Sequence, residues 1–95
     1  MPKMQFYYII SFATNEDVMQ AEAYIKKYLP ITIIPVPREI NTGCGLAIRF
    51  MEASEDIIRK FCQTIPIPGS LYRMGTRKEG SRHPLEHLLD LPVTT

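Results

Sequence analysis

From Gln5 to Ala13 the chain is apolar at both parities, with Phe6, Tyr8, Ile10 and Phe12 on one side of an extended chain and Tyr7 and Ile9 on the other. A strand that is apolar on both faces belongs in the middle of a sheet. Thr14-Asn15-Glu16-Asp17 then carries the marks of a helix start, with Thr14 as N-cap and acidic charge at the positive end of the dipole. Val18, Ala21, Ile25 and Tyr28 recur at helical spacing, with Leu29 beside them, until Pro30 ends the run. Thr32 to Arg38 reads as a second strand, and its two prolines, Pro35 and Pro37, confine it to a sheet edge because each lacks a ladder donor. Leu46 to Met51 reads as a third strand, with Leu46, Ile48 and Phe50 facing one way and Ala47, Arg49 and Met51 the other. Ser54-Glu55-Asp56 caps a second helix whose apolar stripe is Ile57, Ile58, Phe61, Cys62 and Ile65. After the Pro66 and Pro68-Gly69 breaks, Ser70 to Met74 can form a fourth strand.

The order strand, helix, strand, strand, helix, strand predicts an α+β fold, a ferredoxin-like βαββαβ sandwich with an antiparallel four-stranded sheet and both helices on one face. Residues 1–76 form this domain and residues 77–95 a C-terminal tail. The tail begins with the polar run Arg77-Lys78-Glu79-Gly80-Ser81-Arg82, after which Pro84 can open a short helix bearing Leu85, Leu88 and Leu89 on one side. The sheet face opposite the helices, carrying Tyr7, Ile9, Ala47 and Arg49, is left for a partner or the tail to cover.

The run Pro35-Val36-Pro37-Arg38-Glu39-Ile40-Asn41-Thr42-Gly43-Cys44-Gly45 is where chemistry concentrates. Proline stiffens the approach, and glycines on both sides of Cys44 remove bulk and permit a bend. Arg38 and Arg49, close in sequence, add positive potential, and the backbone N–H groups of the Gly43-Cys44-Gly45 turn would favour a thiolate. The plainer reading is that the glycines only turn a hairpin. By contrast, Cys62 lies on a helical core stripe and reads as a small buried hydrophobe.

The pattern Pro-x-Pro-Arg-x-Ile, a short polar spacer, Cys-Gly and then Leu46-Ala47-Ile48-Arg49-Phe50 resembles the putative selenium/sulfur carrier protein-like family, small proteins of bacteria and archaea. The paired Tyr7 and Tyr8 of the opening strand and Tyr72-Arg73 of the closing strand follow the same order, so that the resemblance covers about the first three quarters of the chain. It implies a carrier residue at Cys44, with Arg38 assisting, and a role in handling selenium or sulfur. The spacer Asn41-Thr42-Gly43 departs from the more serine-rich stretch usual there.

Composition narrows the classes. With 11 basic and 10 acidic residues in 95, the net charge of +1 offers no general attraction to nucleic acid or to an anionic membrane. Lys3 followed by Phe6 to Ala13 lacks the basic n-region, length and cleavage site of a signal peptide, and no run approaches the ~20 apolar residues of a membrane span. Two cysteines without ligand-spaced histidines make a poor zinc site and fit a reducing cytoplasm. His83 and His87, four apart, have no third ligand in a recognisable pattern. The expectation is a cytoplasmic carrier rather than a stand-alone enzyme, holding a persulfide or perselenide on Cys44 with Arg38, Gly43, Gly45 and Arg49 around it. It would have no cofactor beyond that transient adduct and no resident metal. Its partner would be a protein donor such as a cysteine desulfurase or a selenium-handling enzyme, with a homodimer also compatible. The alternative is a non-catalytic regulatory or interaction module that uses the open sheet face.

Overall fold

The computed structural model of the chain describes residues 6–40, 45–51, 54–76, 80 and 83–92. Its elements are β1 (Phe6–Phe12), α1 (Asn15–Ile25), β2 (Ile31–Pro35), β3 (Leu46–Phe50), α2 (Glu55–Cys62), β4 (Gly69–Gly75) and β5 (Leu85–Leu91). The fold is α+β, with two helices and one five-stranded antiparallel sheet in the order β2-β3-β1-β4-β5. β1 holds the middle of the sheet, where its apolar residues of both parities are buried by the two neighbouring strands and by material on both faces. β2 takes an edge and ends at Pro35, and one further bond, from the Val36 N–H to the Gly45 carbonyl at 3.1 Å, closes it against the start of β3.

The main core lies between the sheet and both helices. Tyr8 and Ile10 of β1, Ile48 and Phe50 of β3 and Leu71 of β4 meet Val18, Ala21 and Ile25 of α1 and Ile58 and Cys62 of α2. Both helices start as their sequences dictate: Thr14 Oγ1 accepts from the Asp17 N–H at 3.1 Å, and Ser54 Oγ from the Ile57 N–H at 3.3 Å. Two residues of the expected apolar stripes stay outside. α1 stops at Ile25, so Tyr28 falls in the turn beyond it and is 61% exposed, its ring tilted against the half-buried rings of Tyr24 and Phe61. Ile57 sits in the first turn of α2 and is 52% exposed, since the shorter helix aims only Ile58 and Cys62 straight at the sheet.

The tail does not form the expected short helix. Residues Leu85–Leu91 pair with β4 as a fifth strand, which also corrects the four-stranded sheet. The leucine spacing 85, 88, 89 mimics a helical face, but a register shift explains it: Leu71 lies opposite Leu89 while Tyr72 lies opposite His87, leaving Leu88 as an extra residue in a bulge. Leu88, Leu89 and Leu91 therefore all reach the helix-side core, and Leu85 turns to the other face. An isolated helix of two turns would satisfy few of its own backbone groups, whereas the open edge of β4 satisfies a whole strand. The tail thus extends the sheet instead of covering it.

On the helix side, Glu55 ties three elements together. Its carboxylate accepts from Arg59 Nε at 2.8 Å, Arg73 Nη1 at 3.0 Å and the Tyr8 hydroxyl at 3.1 Å, and Arg73 also bonds Glu86 of β5. The Arg59 bond, and then the Tyr8 bond and the two guanidinium charges, hold the Glu55 carboxyl below its ordinary range against the opposing effect of desolvation. A depressed carboxylate contributes stability that is fully present above its unfolded pKa and is lost as pH falls through the folded value. Glu55→Gln is accordingly expected to lower stability by about 1–2 kcal/mol at neutral pH and to flatten the acid limb of a urea-midpoint profile. An unchanged neutral midpoint with the same acid limb would mean that the network holds nothing.

Candidate functional site

The proline-rich segment is not a free loop. After β2, the Ile40 N–H bonds the Pro37 carbonyl at 3.0 Å, closing a turn that folds Val36 and Ile40 back onto the sheet face away from the helices. There they pack on a second small core of Ile9, Ala47 and Met74, joined by Tyr7, Ile34 and Leu85. Ala47 is small where this loop crosses. The face that sequence reasoning left open is thus covered in part by the motif's own chain. Glu39 fixes the loop from the far side, its Oε2 accepting the His83 N–H at 2.9 Å, while His83 Nδ1 lies 2.7 Å from the Gly75 carbonyl and the Gly75 N–H bonds the Pro84 carbonyl at 2.9 Å.

Cys44 and Gly43, with Asn41 and Thr42, lie outside the described residues. The residues on either side of that segment do not. Ile40 and Gly45 both line a cleft of about 440 Å³, and its other walls include Val36 of the loop, Thr14 and Asn15 at the start of α1, and Tyr72 of β4. The positive end of the α1 dipole therefore forms one wall of the cleft that Ile40 and Gly45 line. Gly45 itself has φ of 156°, a backbone state in which a side chain is strained, so a glycine is needed where the chain enters β3.

The two arginines go to different places. Arg38 is exposed in the turn of the loop. Arg49 lies opposite Ile9 in mid-β3, and its guanidinium carbon sits 3.9 Å from the ring centroid of Tyr7, two residues back along β1. Because β1 and β3 are antiparallel, that direction leads away from Gly45, which is four strand residues or about 13 Å distant. Cys62 is fully buried on α2, and burial pushes its thiol up to about 12, the opposite of what a nucleophile requires.

His83 is occupied with Gly75, and His87 lies 2.8 Å from Asp90 with its ring edge-on to Tyr72. Among the described residues no group of three histidine, cysteine, aspartate or glutamate side chains could hold a metal ion. Among the described residues no helix is long and apolar enough to cross a membrane. Sequence reasoning missed Ile40, Glu39, Tyr72 and the Thr14-Asn15 wall. The signal for Ile40 was present, as an apolar residue alone in a polar stretch, whereas the others become visible only when the strand order is known.

Neither the curated proteins nor the solved structures contain a match to the chain. The model of one family, described as putative Se/S carrier protein-like, matches residues 7–72. That span runs from Tyr7, through the loop that packs on the sheet face and both residues that bracket the cysteine segment, to Tyr72 on the cleft wall, and by it the chain belongs to the putative Se/S carrier protein-like family.

Proposed function

We propose that the chain carries sulfur or selenium as a persulfide or perselenide on Cys44. The observation that carries this reading is that Ile40 and Gly45, the two residues bracketing the cysteine segment, line one cleft together with the N-terminus of α1. Cys44 is covalently next to Gly45, so an anionic adduct there would meet the positive end of a helix dipole. Arg38 and the backbone N–H groups around Gly43 and Gly45 would add to that potential. In the reaction, the Cys44 thiolate attacks the outer sulfur of a donor persulfide; a new S–S bond forms on Cys44, the donor's S–S bond breaks, and the donor leaves as a thiolate. No net oxidant is needed. The donor would be a cysteine desulfurase or a selenium-handling enzyme, in a reducing cytoplasm.

Reading the first four strands as a ferredoxin-like unit draws support from the order β2-β3-β1-β4 with helices in both crossovers. In that reading β5 is an addition to the unit's free edge. A second reading, a non-catalytic interaction module or homodimer, is favoured by exposed Tyr28 and Ile57, the first of them backed by the half-buried rings of Tyr24 and Phe61.

Intact mass after incubation with a cysteine desulfurase supplied with cysteine in one arm and selenocysteine in the other separates the two. The carrier gains one sulfur or selenium atom, and Cys44→Ser gains none. An unchanged mass under conditions that load a known carrier favours the interaction module.

A further inference from the structure

Three arginines in the described part of the sheet and α2 are stabilised in contrasting ways. Arg59 and Arg73, on the helix side, are both served by the Glu55 carboxylate, and Arg73 by Glu86 as well. Arg49, on the opposite face, has no hydrogen bond or ion pair among the described residues, and its Nε is buried without a partner. What it has is the face of Tyr7, 3.9 Å from ring centroid to guanidinium carbon. An aromatic face offsets part of the cation's charge but accepts none of the in-plane N–H bonds, and a partly dehydrated guanidinium with unused donors is a costly arrangement. Arg49 as a whole is only half-buried, so with its Nε covered the remaining exposure falls on the rest of the side chain.

From this pairing we propose that Arg49 and Tyr7 form an anion-binding subsite on the sheet face opposite the helices. Its ligand presents two oxygens to the Nη edge, as a carboxylate or a tetrahedral oxyanion does. Tyr7 holds the guanidinium plane and shields its inner edge, which fixes the outward fork. The two tyrosines that open β1 thereby divide their work: Tyr8 points to the helix side and bonds Glu55, and Tyr7 points to the other side and supports Arg49. The subsite stands about 13 Å along β3 from Gly45. Its test reads anion binding at Arg49 and Tyr7 and does not depend on Cys44 loading.

The test follows the Arg49 Nε–Hε resonance of the full-length protein by NMR, at ionic strength held constant with chloride, during titration with acetate in one arm and inorganic phosphate in the other. The expected result is a saturable shift at Arg49 and at the Tyr7 ring, with the tighter arm identifying the anion's geometry. Arg49→Gln should weaken binding by about tenfold or more, read from backbone amides of Ile9 and Thr32. Arg49→Lys, which keeps the charge and packs similarly, should retain a weakened response and guards against a folding defect in the glutamine variant. A shift no larger than those of Arg59 and Arg73, or a response that never saturates in either arm, would overturn the proposal.

Discussion

Truncation after Gly75 is expected to leave a chain that is largely unfolded or aggregated at room temperature. The removed segment includes Leu91, 5% exposed in the main core, and the half-buried Leu88 and Leu89 packed beside it. Fully burying one leucine is worth about 1.5–3 kcal/mol, so these three together contribute on the order of 4 kcal/mol. A small domain has only about 5–15 kcal/mol in total. The cut also bares β4 as an unprotected edge of seven residues, a ready template for association, because the protection that Pro35 gives the opposite edge has no counterpart there. Urea denaturation and sedimentation measure both effects, and Leu91→Ala supplies a milder variant expected to lose about 2–4 kcal/mol. A truncated monomer that melts like the intact chain would mean that β5 only decorates the sheet.

The second large effect concerns the two thiols. With Cys62 pushed up to about 12, its thiolate fraction at pH 8 is about one part in 10⁴, and burial at 0% exposure closes it further. Alkylation of the folded protein at pH 8 should therefore modify Cys44 to completion while Cys62 stays intact, and unfolding in urea should release the second thiol. Arg38→Gln should move the pH midpoint of the fast reaction upward, since it removes a positive charge from the loop that carries the nucleophile. Equal rates at both thiols, or a midpoint unmoved by Arg38→Gln, would remove in turn the selectivity and the role of that arginine.

Much of this was legible in the sequence because local and tertiary requirements agreed. β1 is apolar at both parities and is central; β2 carries proline and is at the edge; Thr14 and Ser54 cap the helices they precede. The tail misled because the bulge at Leu88 converts strand alternation into a helical-looking spacing, and periodicity alone cannot distinguish the two. Tyr28 misled because the periodicity ran past the point where α1 stops, at Ile25, five residues before Pro30. For the site, the cysteine segment could be named from its glycines and prolines. The cleft could not, since Thr14, the Ile40 and Gly45 pair, and Tyr72 are distant from one another in sequence and meet only through the pairing of β1 with β3 and β4. Nor could the fate of Arg49, which depends on the direction its side chain leans along an antiparallel pair.

The central claim, that Cys44 is the atom carrier, is tested most directly by peptide mapping of the desulfurase-treated protein before and after reduction. Expected is one added sulfur, or one selenium when selenocysteine is the desulfurase substrate, on the peptide containing Cys44, lost on reduction, with the Cys62 peptide unmodified. An adduct on Cys62, or none on Cys44 in a folded protein beside a carrier that loads, would contradict it.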